Sequence, residues 1–76
     1  MEIRNYKILL REEPEGGFTV FVPSLEGCIT YGKDLDEAKR DAKEAIELYI
    51  ESLQMDKLPI PTDENLLELN VQIANV

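Results

Sequence analysis

The chain has 76 residues and carries 16 acidic against 8 basic side chains, a formal charge of −8. Such a length gives one small domain, below the size at which a single core is comfortably stable, and the lone cysteine, Cys28, excludes an internal disulfide as a staple. The acidic excess opposes binding to phosphate backbones, the lack of histidine removes the commonest general base and metal ligand, and no run approaches the roughly 20 apolar residues that span a bilayer.

The N-terminal stretch from Met1 to Lys7 has no continuous apolar run of the signal-peptide kind, so a cytoplasmic protein is expected. Tyr6, Ile8 and Leu10 then alternate with Lys7, Leu9 and Arg11, the period of a half-buried strand. Glu12-Glu13-Pro14-Glu15-Gly16-Gly17 reads as a turn, because proline fixes φ and the glycines accept positive φ. The next strand runs from Phe18 to Val22, with Phe18, Val20 and Val22 on one face and Phe21 on the other; Pro23, which cannot donate to a ladder, ends it. A third short strand over Cys28 to Tyr31 is closed by Gly32.

Asp34 is a good N-cap, and Glu37 stands where it can reach back to complete a capping box. Helix-forming residues continue to about Met55, with Ala38, Ala42, Ala45, Ile46, Tyr49 and Leu53 making one apolar stripe. The alanines in that stripe let the helix lie close to a sheet. Leu58-Pro59-Ile60-Pro61 blocks further helix. Leu67, Leu69, Val71 and Ile73 then alternate with Glu68, Asn70, Gln72 and Ala74, the clearest strand pattern in the sequence. The expected fold is therefore α+β, a two-layer β-β-β-α-β domain over residues 1–76, with a four-stranded sheet of order 3-2-1-4 and one helix on one face.

Gly16-Gly17-Phe18, then Val22-Pro23-Ser24-Leu25-Glu26-Gly27-Cys28, then Gly32 with Asp34-Leu35-Asp36-Glu37-Ala38, and finally Pro59-Ile60-Pro61 follow one another in the order found in HicB-type antitoxins. The chain resembles the N-terminal domain of that family (HicB-like, UPF0150), and the resemblance covers most of its length. It implies a HicB-like fold related to a partial RNase H, and a protein that neutralises a HicA-type messenger-RNA-cleaving toxin by occluding its RNA-binding surface. HicB-type proteins typically add a C-terminal DNA-binding domain. With Val76 falling in or just after the last expected strand, that domain and its autorepressor role are expected to be missing. The alternative is a solitary HicB-like homo-oligomer with another protein or a small molecule as partner.

No catalytic residue, cofactor site or metal site is expected, and the chain reads as no enzyme. Cys28 has no evident base beside it and reads as a buried small apolar residue. Asp36, Glu37, Asp41, Glu44, Glu47 and Glu51 lie along a helix whose other face is the core stripe, and nothing in the sequence forces them into the one pocket that two-metal catalysis requires. The acidic surfaces suit a basic protein partner instead. Candidates are Glu12, Glu13 and Glu15 at the hairpin tip, and a helix strip of Glu37, Asp41, Glu44 and Glu51 around Leu48, opposite the alanine stripe. A merely solvated helix face is the competing reading. One helix covers only one face of such a sheet, so Leu9, Phe21 and Tyr31 are the candidate contacts of a homodimer or higher homo-oligomer. Direct binding of nucleic acid or membrane is not expected.

Overall fold

The structure, a computed structural model, describes residues 3–74. The ends of the expected 1–76 domain, Met1, Glu2, Asn75 and Val76, lie outside the described residues. Strands β1 (Leu9–Glu12), β2 (Phe18–Phe21) and β3 (Ile29–Gly32) form an antiparallel meander of order β1-β2-β3, followed by helix α1 (Leu35–Met55). Glu12 pairs with Phe18 across the first hairpin, whose turn is closed by bonds from the Gly16 amide to the Glu13 carbonyl and from the Glu13 amide to the Gly17 carbonyl. Gly16 and Gly17 both take positive φ, as the turn residues require. A side chain at Gly17 would also collide with the Tyr31 ring, whose hydroxyl donates to the Gly16 carbonyl at 2.9 Å.

The register fixes the two faces of the sheet. Val20 opposes Leu10 and Thr30 and is fully buried against Ala38 and Ala42 of α1. The row Leu9–Phe21–Ile29 points the other way. Gly32 explains how the helix comes so near, because a Cβ there would stand 2.4 Å from the Ala38 backbone. A second cluster gathers Val22, Leu25 and Cys28 under Tyr6, Ile8, Ala45, Ile46 and Tyr49. It is built by the Pro23–Gly27 corner, which folds back through bonds from Leu25 to Val22 and from Cys28 to Leu25, turning on Gly27 at φ 77°. That corner drops Leu25 into full burial, and the Tyr49 hydroxyl ties it to the helix through the Glu26 carbonyl.

The helix starts and stops by local chemistry. Asp34 accepts the Glu37 amide at 2.8 Å, the expected N-cap. The Glu37 carboxylate reaches back one residue beyond the usual capping box, to the Lys33 amide at 2.7 Å. At the far end the Lys57 and Leu58 amides return to the Gln54 and Leu53 carbonyls, with Lys57 in the left-handed region at φ 56°, the pattern of a Schellman stop.

After α1 the chain differs from expectation. Among the described residues there is no fourth strand, and the sheet order is β1-β2-β3 rather than 3-2-1-4. The return segment is held by polar bonds instead. The Tyr6 hydroxyl donates to the Pro61 carbonyl at 2.5 Å, and the Asp63 carboxylate accepts the Lys7 amide at 2.5 Å and the Ser24 hydroxyl. Lys7 then pairs with Glu68 at 2.9 Å. Beyond that tether Leu69, Val71 and Ile73 stay 83, 80 and 68 % exposed. The physical reason is the absence of a ladder: alternation makes a segment able to be a strand, but no strand of this copy pairs with it. The radius of gyration, 14.6 Å, exceeds the roughly 11 Å of a compact chain this long.

Candidate protein-docking surfaces

The three hairpin acids do not act alike. Glu12 and Glu15 are exposed, whereas Glu13 is half-buried and engaged within the hairpin. Its carboxylate accepts the Thr19 hydroxyl at 2.5 Å and the Arg11 Nε at 3.1 Å. The Thr19 bond first, and the Arg11 bond with its charge, hold the Glu13 carboxyl below the usual glutamate range against a smaller opposing effect of desolvation. Arg11 also lies over the Phe21 ring, 5.3 Å from its centroid.

On the helix, Glu37 is spent on the Lys33 amide, at the start of the strip. Further along, Glu44, Leu48 and Glu51 come together and share one shallow depression with Glu47, which sequence reasoning left out of the strip. Glu47 stands one helical step to the side, where it pairs with Lys43 at 3.7 Å; its i+3 spacing from Glu44 was the available signal. Leu48 is 67 % exposed, an apolar side chain ringed by carboxylates. Asp41, three residues before Glu44 on the helix, is half-buried and does not line this depression.

The uncovered sheet face carries Leu9, Phe21 and Ile29 in one row and Arg11, Thr19 and Tyr31 in the next. Leu9, Ile29 and Tyr31 are 46, 59 and 52 % exposed, while Phe21 is half-buried beneath Arg11. Cys28 points instead into the core beside Val22 and Leu25, so Ile29 and Tyr31 supply the third strand's share of the open face. Burial raises the pKa of the Cys28 thiol, favouring its protonated form. Among the described residues no group of three or more His, Cys, Asp or Glu side chains is gathered to hold a metal, and no helix is long and apolar enough to cross a membrane.

One further surface was not foreseen. Tyr6 and Ile8, leading into β1, and Lys39, Ala42, Lys43, Ile46 and Glu47 of α1 line a groove of about 340 Å³ with a largely apolar floor. It lies where a strand beside β1 would place its inward side chains. The chain's own return segment does not fill it, because Leu66 to Leu69 lie against Lys7, Leu9 and Pro23, and Leu9 faces away from the helix.

Comparison with known proteins accords with this architecture. The family described as HicB-like antitoxin of bacterial toxin-antitoxin systems matches residues 6–75. A UPF0150 protein of Synechocystis is 42 % identical over 67 residues, 88 % of this chain and 85 % of the relative. A UPF0150 protein of Helicobacter pylori is 43 % identical over 63 residues, 83 % of this chain and 88 % of that one. A third, from the archaeon Thermoplasma acidophilum, is 42 % identical over 66 residues, 87 % of this chain and 94 % of its own.

Proposed function

This chain belongs to the HicB-like antitoxin family, and on that premise we propose that it is a non-enzymatic binding module that neutralises a basic HicA-type toxin by covering its RNA-binding surface. The observation that carries the reading is the group Glu44, Glu47, Leu48 and Glu51, an exposed leucine set among carboxylates on a rigid helix. Carboxylates around such an anchor mimic the phosphates that a messenger-RNA-cleaving protein must approach. They steer the encounter, and the leucine, once desolvated, slows departure. Neutralisation then needs no chemistry from this chain; a covered surface cannot take up RNA. Asp41 extends this surface and the exposed Glu12 and Glu15 offer a second one, while Glu13 and Glu37 act mainly within the fold. The module acts in the cytoplasm as a single domain, and its charge of −8 keeps it off duplex DNA.

The test is association kinetics with the protein encoded beside this chain, at two salt concentrations. Reversing Glu44, Glu47 and Glu51 to lysine should slow association about tenfold at low salt and flatten its salt dependence. Leu48→Asp should speed dissociation by about tenfold or more. If both variants bind like the parent chain, the helix strip is a solvated face and the reading fails.

The open face supports a companion reading, self-association as a homodimer or higher homo-oligomer. Leu9, Phe21, Ile29 and Tyr31 leave apolar surface uncovered on a chain too small for a large core. Phe21→Glu should then weaken assembly, read as a lower mass by light scattering.

A further inference from the structure

We propose that residues 69–74 are an exchanged arm: in a two-fold dimer, each copy's arm pairs with the β1 edge of the other and presses alternate side chains into its Tyr6–Ile8–Ala42 groove. This rests on the self-association reading and names the element exchanged.

The arm is built as a strand and left without a ladder. Leu67, Leu69, Val71 and Ile73 repeat at every second position, all 68 % exposed or more. Residues 69–74, Leu-Asn-Val-Gln-Ile-Ala, carry no charge in a chain that is 32 % charged. A second copy at −8 is repelled at long range, so an uncharged segment is the part best able to cross between copies. Its receptor is equally specific. Among the described residues β1 is one of the two edges of the sheet, paired with β2 only, and unpaired backbone at an edge accepts an added strand. Beside that edge the groove offers an apolar floor of Ile8, Ala42 and Ile46 for every second side chain of the incoming strand.

The owner's arm is poorly placed to use this receptor. Asp63 pins the return segment to the Lys7 amide and Ser24, and Glu68 is paired with Lys7. The arm therefore sets out from the Leu9 and Pro23 side of the sheet, whereas the groove opens on the helix side. Residues 69–74 extend from this tether, in a molecule 47 Å long and 21 Å thin. Reciprocal exchange satisfies both unfilled features at once, as isologous contacts in two-fold dimers do.

Light scattering on the full chain across the micromolar range should give twice the monomer mass. Val71→Pro, which deletes a ladder donor, and the double change Leu69→Asp with Val71→Asp should both give monomer mass with an unchanged helical circular-dichroism signal. In a Cys28→Ala background, mixing a chain bearing Arg11→Cys with one bearing Gln72→Cys, which alternates onto the same open face as Arg11, should yield a disulfide between the two chains. A monomer mass for the parent chain overturns both the exchange and self-association, and is the result expected if the arm serves a different protein. Dimers that survive the arm changes but dissociate with Phe21→Glu retain self-association and overturn the exchange. A doubly substituted chain, cysteine at 11 and 72, that closes its disulfide within a monomer also overturns it, since the arm would then have docked on its own edge.

Discussion

Residues 18–22 and residues 67–73 both place apolar side chains at every second position, yet Val20 is fully buried and Val71 is 80 % exposed. The difference lies in their surroundings. Phe18–Phe21 is flanked by β1 and β3 and roofed by α1, so its backbone groups are paired and one face is dry. The later segment is tied at its start, by Asp63 and Glu68, and among the described residues no strand pairs with it. A period of two thus states that a segment can be a strand; which strand it joins is decided by what stands beside it.

The largest effect should come from the well-surrounded region. Leu25→Ala removes a fully buried side chain from the cluster that joins the Pro23–Gly27 corner to α1, and should cost about 3 kcal/mol in chemical denaturation. Sheet and helix signals should be lost in one transition, because Val22, Cys28, Ala45 and Tyr49 share that cluster. Separate transitions would show that the first region is not one unit.

Asp63→Ala addresses the other region. It deletes the acceptor of the Lys7 amide and of the Ser24 hydroxyl and should cost about 1–2 kcal/mol locally. Hydrogen exchange should speed at the Lys7 amide while the Ala42 and Ile46 amides keep their protection. Equal loss at the helix amides would mean that the return segment is integral to the core and would remove the contrast between the regions.

Lys57 marks the joint between them. A lysine at φ 56° bears the crowding of a left-handed backbone, and the Schellman stop it completes favours glycine. Lys57→Gly should stabilise the chain by about 0.5–1 kcal/mol, after allowing for the freedom glycine adds to the unfolded chain. A raised melting temperature with an unchanged α1 signal is the expected readout.

What the sequence disclosed follows the same division. The helix was legible to its ends because its signals are local: Asp34 caps it, the alanine stripe faces the sheet, and Leu58-Pro59-Ile60-Pro61 blocks its continuation. The turn at Gly16-Gly17 and the end of the second strand at Pro23 were legible for the same reason. The fourth strand was misjudged because its pairing depends on a distant edge, and with it the groove beside Tyr6 and Ile8 stayed hidden. Of the candidate site, the residue types were readable but their engagements were not. Glu13 is an acid in the sequence, but its bond to Thr19 exists only because Arg11 and Thr19 fall opposite each other in register.

That engagement makes the smallest prediction, one that separates the hairpin from the tether by pH. Thr19 and Arg11 bond the charged form of Glu13, so its folded pKa lies below its unfolded one. A depressed carboxyl pKa contributes stability that is complete above the unfolded value and is lost as pH falls through the folded value, because only the unfolded chain takes up the proton readily. The hairpin should therefore loosen on the acid side of the usual glutamate range, seen as faster exchange at the Thr19 amide. Glu13→Gln should flatten that pH dependence while leaving the Lys7 amide, held by Asp63, as it was. An acid dependence at Thr19 that persists in the glutamine variant would assign the loosening to a group other than Glu13.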